Sequence, residues 1–541
     1  MIHGQSNALQ LVLSRAIKAH EKGDLLVAKV GYKKVLNKQP RNCDLLSVLA
    51  KLCAQLSQYD EAASYMERVD RLKPQDDIVL SNYAYMQIRQ GLLADAHEKL
   101  QRAVEINPEN FDAYSNLVNV HMQQDDPQSA LKAALKAMAI NPNSPMASSN
   151  LGGVLQALGD LQSARFAYET ALVLDPKNQS AKFNLGNLES IAGNSQKAIE
   201  IYERVLSESS ISEFHPIERT RFALSLEYLN IGRLAESWDL YDSGFDPTIS
   251  INTARSPART FPVPKWKGDD LNGRRLLIWG EQGIGDEILF MTCLPELAMT
   301  NGQVIVECDP RLVQQVARSF PQMIVRASAY QLTPGLKPVL IDYDCHIPMG
   351  SLMGIYRRKL EDFQKSGPFL VINPDKAVDF ENRLSSANTK RKRVGICWRS
   401  GKLDAARNVY YTALIDWECI FSVPDCDFIN LQYGECEQEL LEAENKFGIR
   451  ILRWPDIDLK NDFDSTLALI SRLDVVVTVG TAVSPMAAAV GMQVLLMGQR
   501  GWPNLGTEYY PWFTNIQCIF PPSGGITANC LFEASKHLKS M

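Results

Sequence analysis

Six short stretches in the C-terminal half hold residues whose types can do chemistry: "WGEQGIGDEILF" from Trp279, "DYDCHIPM" from Asp342, "WRSGK" from Trp398, "NLQYGE" from Asn430, "VGTAVS" from Val479 and "GQRGWPNLGTEYYPWF" from Gly498. The first sets three glycines, Gly280, Gly283 and Gly285, among three acids, Glu281, Asp286 and Glu287. Closely spaced glycines let backbone N–H groups approach a phosphate. Here the order is G-x-x-G-x-G rather than G-x-G-x-x-G, and no P-loop lysine follows, so a phosphate cradle is excluded. What remains is a loop that brings backbone close to a ligand while a helix start presents acids. Glu281 and Glu287 read as the acids of a capped, dipole-compensated helix start. His346 follows Asp342 and Asp344, and imidazole serves structural and active roles alike. No HExxH, EF-hand or P-loop pattern is present, and the eleven cysteines form neither a CxxC pair nor a Cys/His cluster. The expectation is reduced thiols, no disulfide, no metal and no structural zinc.

These stretches must be held by strands. Short runs rich in Val, Ile and Leu alternate with helical patterns: "RRLLIW", "QVIVECD", "PVLIDYD", then "RVGICW", "DFINLQY", "IRILRWP", "DVVVTVG" and "QVLLMG". Such alternation predicts parallel sheets with helices on both faces. The polar stretch from Ser366 to Lys392, ending in "KRKR", separates two such sheets, and the basic run reads as a solvated loop. Two halves of this kind facing across a cleft describe the GT-B architecture, with ligands at the carboxyl ends of the strands.

Before Phe245 the pattern is different. Pro40, Pro74, Pro108, Pro142 and Pro176 are each 34 residues apart, and Ala28, Ala62, Ala96, Ala130, Ala164 and Ala198 repeat in phase with Gly23, Gly91, Gly159 and Gly193. Small residues let two antiparallel helices approach, glycine ends the turn between them, and proline marks the exit. The pattern resembles tetratricopeptide repeats, six of them over about residues 9–212, with an irregular seventh pair around "RFALSLEYLNIGRLAESWDLYDSGF" as a cap. Asn82, Asn116, Asn150 and Asn184 occupy one place in the first helix of four successive repeats, and Asn119 and Asn187 lie one turn on. Asn is a mediocre helix former, so either each amide satisfies a neighbouring repeat or the series is a ladder that holds an extended peptide. Similar ladders occur in the repeat domain of intracellular protein O-glycosyltransferases, which points to a polypeptide ligand.

Composition narrows the partners. The chain has 541 residues, 22% of them charged, and a net charge of -6, which gives no reason to expect nucleic acid. The uncharged run Val475 to Gly498 contains Gly480, Pro485 and Gln493 and reads as strand, turn, helix and strand rather than a membrane span. The start lacks a secretory signal, so a cytoplasmic protein is expected. Repeat arrays often pair, so a homo-oligomer is among the expected partners, without a residue that marks its face.

"LLIWGEQGIGDEILFMTCLPEL", "DYDCHIPMGSL", "RVGICWRSGK", "INLQYGE" and "LALISRLDVVVTVGTAVSPMAAAVG", in that order, resemble a repeat-linked glycosyltransferase family related to the heptosyltransferases. Together with the array, the chain resembles proteins that include flagellin glycosyltransferases. The expected fold class is α + α/β: a solenoid over 1–245, a linker over 246–272, an acceptor-side half over 273–375, an inter-half linker over 376–391 and a donor-side half over 392–541. "GIGDEI" aligns with the heptosyltransferase loop that carries the base, which assigns that role to Asp286. Gln282, Gly283, Gly285 and His346 would then lie on the acceptor side.

A metal-free glycosyltransferase must also hold a nucleotide-sugar and neutralise its leaving phosphate. Arg399, Ser400 and Lys402, with Gly480 and Thr481 at the next helix start, are the expected donor loops. A glycine turn with solvated cations and an ordinary N-cap explain the same residues. Gln432 and Tyr433 are expected to meet a base or ribose, or else to pack, and Gln499 and Arg500 are the polar contacts of an aromatic loop that serves sugar binding or caps the core. Heptosyltransferase relatives carry Asp and His where this chain has Gly480 and Pro485. The expected reaction is inverting transfer from a nucleotide-sugar to Ser or Thr of a protein in the repeat groove, with no further cofactor. Resemblance alone suggests flagellin as acceptor and a CMP-activated nonulosonic acid, such as pseudaminic or legionaminic acid, as donor. The alternatives are a non-catalytic repeat scaffold or export adaptor, and a transferase acting on lipid or polysaccharide.

Overall fold

The computed structural model describes residues 2–208, 217–246, 255–328, 341–363, 367–387, 391–401, 411–521 and 528–541. They form two compact units, Met1–Gly193 and Asn194–Met541.

The first unit is a run of helices: α1 (Ile2–Glu21), α2 (Leu25–Leu36), α3 (Cys43–Gln55), α4 (Tyr59–Leu72), α5 (Asp77–Gln90), α6 (Leu93–Ile106), α7 (Phe111–Gln123), α8 (Pro127–Ile140), α9 (Pro145–Ala157), α10 (Leu161–Leu174) and α11 (Gln179–Ile191). The phased alanines Ala28, Ala62, Ala96, Ala130 and Ala164 are fully buried, which lets paired helices approach closely. A further 34-residue series caps the first helix of the second to sixth repeats. Asn42, Asp76, Asn110, Ser144 and Asn178 accept from the backbone N–H three residues on. The phased glycines Gly23, Gly91, Gly159 and Gly193 are left-handed, and so are Ser57 (φ 57°) and Asp125 (φ 59°), which hold the same place in two repeats without glycine. The turn geometry therefore persists where its preferred residue does not.

The second unit opens with α12 (Ser195–Glu208), α13 (Ile217–Asn230) and α14 (Leu234–Tyr241). Two all-parallel sheets follow. The first contains β1 (Arg275–Trp279), β2 (Gln303–Cys308), β3 (Ile324–Ala327) and β4 (Cys345–Pro348) in the order β3-β2-β1-β4. The second contains β5 (Lys392–Cys397), β6 (Cys426–Asn430), β7 (Ile451–Leu452), β8 (Val475–Val479), β9 (Gln493–Met497) and β10 (Ile516–Ile519) in the order β10-β9-β8-β5-β6-β7. Both orders reverse direction beside their first strand, the doubly wound arrangement whose switch points bind ligands. They lie between β1 and β4 and between β5 and β8.

Alternation along β1 sends Leu276 and Ile278 to one face and Leu277 and Trp279 to the other. The first of these faces joins a core that runs on through Val476, Val483, Ala487 and Trp512 of the second half. Trp512, fully buried, lies 6.1 Å from Phe290 and 5.0 Å from Phe363, so apolar packing joins the halves. Arg318 and Gln315 also donate to Asp464, at 2.9 and 3.0 Å.

The uncharged run 475–498 is β8, a helix over Val483–Ala489 and β9, as its breakers predict. Among the described residues no helix is long and apolar enough to cross a membrane. All eleven cysteines are free thiols.

Four expectations change. The segment 376–391 is not a plain linker: Pro374–Ser386 is a helix capped by Asn373, with Ala377, Phe380 and Leu384 buried at helical spacing. In "KRKR", Lys392 and Arg393 belong to β5, and Arg393 donates to Glu381 at 2.8 Å rather than standing in solvent. The described part of the connector 246–272 is a packed strap, with Trp266 N donating to His346 O at 2.8 Å. In "PVLIDYD" residues 341–344 are not strand, and β4 begins at Cys345, while the edge strands β3 and β10 add to the expected runs, since four residues carry too little alternation to mark a strand.

Candidate functional site

From β1 the chain turns through Gly280–Gly283 into a short helix, Ile284–Phe290. A Cβ at Gly280 would collide with the carboxylate of Glu287, which is fully buried and accepts from Asp309 N at 2.9 Å. Glu281 is fully buried too. It accepts from Arg255 Nε at 2.6 Å and Gly350 N at 2.9 Å, and also from Arg255 Nη2. The expectation for both acids is a capped, dipole-compensated helix start, and Glu287 does lie in the first turn. Both are internal braces as well, because a buried carboxylate must find a cation or N–H groups.

Gln282 holds the left-handed conformation (φ 62°) rare outside glycine, and its N–H donates to Ser256 O at 2.6 Å. Asp286 is half-buried and its Oδ2 accepts from Gly283 N at 3.3 Å, closing the helix start. Burial first, with nearby charges that include Asp286, holds the hydroxyls of Tyr241 and Tyr510 far above their usual pKa. The charge of Asp286 is thus felt both at the end of α14 and in the aromatic loop of the second half.

His346 does not join this group. It lies on β4, stacked on Phe261 at 3.8 Å, with its Nδ1 accepting from Trp279 Nε1 at 3.2 Å. Burial, then the charges of Lys265 and Arg259, lower its pKa to about 4. An imidazole that accepts from an indole N–H and stacks on a ring fits the structural one of the two roles that its sequence allows. Asp342 and Asp344 are likewise engaged, by Arg326 at 2.7 Å and Arg275 at 2.9 Å.

In the second half, Gln432 is buried. Its Oε1 accepts from Trp398 N and Arg399 N, both at 3.1 Å, and its Nε2 donates to Tyr433 O. It braces the loop after β5 and has no free face for a base or ribose. Arg399 donates to Glu439 at 3.0 Å and to Glu435 O at 2.7 Å, with its side chain only 13% exposed. Its charge is balanced inside the protein, so it shapes the loop rather than standing open to a phosphate. Burial raises the Glu439 carboxyl, but hydrogen bonds from Arg399 and Trp398 outweigh that and hold it below its usual range. Glu439, on the helix Glu437–Phe447, lies in no motif, and nothing in its spacing along the chain marks it as the partner of Arg399.

Tyr433 packs its ring against Gly401, where a Cβ would lie 2.9 Å from Cε2. Lys402 lies outside the described residues. Thr481 Oγ1 lies 3.6 Å from Cys397 Sγ and 3.3 Å from Thr478 Oγ1, and accepts from Val483 N at 3.3 Å. Gly480 is exposed with open space beside it. Most of the aromatic loop caps the core, since Tyr510, Trp512 and Phe513 are buried, while Arg500 stays exposed, pairs with Glu508 and lies over Phe520.

The two switch points meet. A Cβ on Gly285 would lie 3.8 Å from Ala482 Cα and 4.0 Å from Pro485 Cγ, so the helix start that carries Asp286 abuts the one that carries Thr481. Gln282, Gly283, Gly285 and Asp286 are thereby gathered with Gly480 and Thr481, and the β5 loop reaches the same place through the contact of Cys397 with Thr481. Such an arrangement offers a carboxylate, hydroxyls and open backbone at the carboxyl ends of two parallel sheets.

In the first unit, Asn82, Asn116, Asn150 and Asn184 are all half-exposed at matching places, with Asn187 similar and Asn119 open. Asn116 Nδ2 reaches the carbonyl of Ser81 at 3.4 Å, a long bond to the preceding repeat. Asn110 shows what a structural amide looks like here: buried, and bonded to Asp77 and Ser81 at 2.8 and 3.0 Å.

Models of the tetratricopeptide repeat match residues 44–76, 87–151 and 150–212. The chain is similar to Protein FlbA of Caulobacter vibrioides, at 33% identity over 317 residues, 57% of this chain and 52% of that protein. It thus spans about half the length of that relative. Among solved structures it is similar to a thermophilic tetratricopeptide-repeat protein of Thermus thermophilus (22% identity, 31% of this chain and 93% of that one, TM-score 0.31). Another is a tetratricopeptide-repeat protein of Parabacteroides merdae (18% identity, 44% and 93%, TM-score 0.37). The chain carries tetratricopeptide repeats in its N-terminal region and two parallel sheets after them.

Proposed function

We propose that the chain transfers a sugar from a nucleotide-activated donor to a Ser or Thr hydroxyl of a protein held by the repeats. The observation that carries this reading is the approach of Gly285 to Ala482, which sets Asp286 and Thr481 at one meeting of two switch points. Asp286 accepts the hydroxyl proton as the oxygen bonds to the anomeric carbon, and the bond to the donor phosphate breaks with its electron pair leaving on phosphate. Direct displacement inverts that carbon. Ser400, Lys402, Gly480 and Thr481 receive the leaving phosphate, and the half-exposed asparagines hold the acceptor backbone. By resemblance the acceptor is flagellin, the donor a CMP-nonulosonic acid and the compartment the cytoplasm.

Intact mass of the flagellar filament protein from cells with and without this gene tests the reading. Loss of the sugar mass in the deletion is expected, and an unchanged mass sinks the flagellin assignment. A second reading, a repeat scaffold with an inactive transferase fold, is favoured by the Arg399–Glu439 pair and by Gly480 and Pro485. It predicts an unchanged mass together with defective filament assembly.

A further inference from the structure

We propose that Arg255 is the positioning residue for the loop that carries Asp286, an inference that rests on the transfer reading above. Arg255 is 1% exposed, and its guanidinium lies 4.1 Å from the Tyr241 ring and 4.0 Å from the Phe245 ring. Both carboxylate oxygens of Glu281 accept from it, while Nη1 donates to Asp242 Oδ1 at 2.8 Å and lies 3.5 Å from Ser351 Oγ. One planar cation therefore joins three segments: the end of the last helix pair, the loop after β1 and the loop after β4. Only a fork of five donors can serve all three at once.

Glycines make room for it. A Cβ at Gly244 would lie 2.7 Å from Arg255 Cγ, and one at Gly350 would lie 2.7 Å from Glu281 Oε1 and 3.0 Å from Arg255 Nη2. The grip continues along the chain. Ser256, next to Arg255, accepts from Gln282 N, which helps to hold Gln282 in its left-handed conformation, and Gly283 N then reaches Asp286. Arg255 touches no reacting atom in this scheme; it fixes where the carboxylate of Asp286 points.

The test uses the full chain with Arg255→Met combined with Glu281→Gln, which removes both buried charges and keeps an acceptor for Gly350 N–H, so the protein should still fold. Expected are a kcat for transfer lower by about 30-fold or more with both KM values within about twofold, and faster amide hydrogen exchange over residues 280–286. Arg255→Lys, which keeps the charge but loses the fork, should fall between. Wild-type kcat and exchange in the double variant would overturn the proposal. If the unaltered protein transfers no sugar, the transfer reading fails, and exchange over 280–286 still decides whether Arg255 holds the loop. If the double variant does not fold, exchange in Arg255→Lys decides it: unchanged protection overturns the assignment.

Discussion

Arg399 and Glu439 form a partly buried pair, with Nε 3.0 Å from the carboxylate and Trp398 Nε1 donating to the same group at 2.5 Å. A cation that sequence places at a phosphate is thus held by an acid on a neighbouring helix. Arg399→Met and Glu439→Gln should each destabilise by about 1–3 kcal/mol, and a double-mutant cycle in urea should show coupling of about 1 kcal/mol or more. Donor affinity should change less than about threefold, under 1 kcal/mol. A hundredfold loss in Arg399→Met alone returns it to the leaving group.

Asp286→Asn keeps an oxygen to accept from Gly283 N and loses the basic group. Transfer should fall by roughly 10²–10⁴-fold while the melting temperature holds. Normal turnover in a folded variant removes Asp286 as the base.

His346 stays neutral in the folded protein down to about pH 4, below its ordinary value. Unfolding at mildly acid pH therefore takes up a proton, so its contribution is complete above about pH 6.5 and is lost as pH falls toward 4. His346→Gln cannot titrate but can still accept from Trp279. Its melting temperature should drop less between pH 7 and pH 5 than that of the wild type. Equal drops would mean that His346 takes up no extra proton on unfolding.

Ser57 and Asp125 occupy left-handed turns that glycine fills in the other repeats. Ser57→Gly and Asp125→Gly should each stabilise by about 0.5–1 kcal/mol, and Gly159→Ala should cost about 1 kcal/mol. Urea midpoints check the signs.

The asparagine series separates binding from support. Asn116→Ala with Asn150→Ala should weaken an acceptor peptide about tenfold, near 1.4 kcal/mol, and leave donor binding unchanged. Equal acceptor affinity makes the ladder structural.

Periodic sequence determined much of this molecule unaided. The 34-residue phase of Pro, Ala and Gly set the helix pairs, and the Val/Ile/Leu runs set the central strands, because helix and strand periods are local properties of the chain. The loop "GIGDEI" was likewise legible as acids at a helix start. What the tertiary structure decided is which charges remain available for chemistry. Arg255 sat in a connector without pattern, Glu439 on a helix without a motif, and His346 in a stretch that allowed either role, yet each is settled by a partner far along the chain. Burial makes an unpaired charge expensive, so long-range packing assigns Arg399 to Glu439 and Glu281 to Arg255. Residue spacing along the chain carries no record of that assignment.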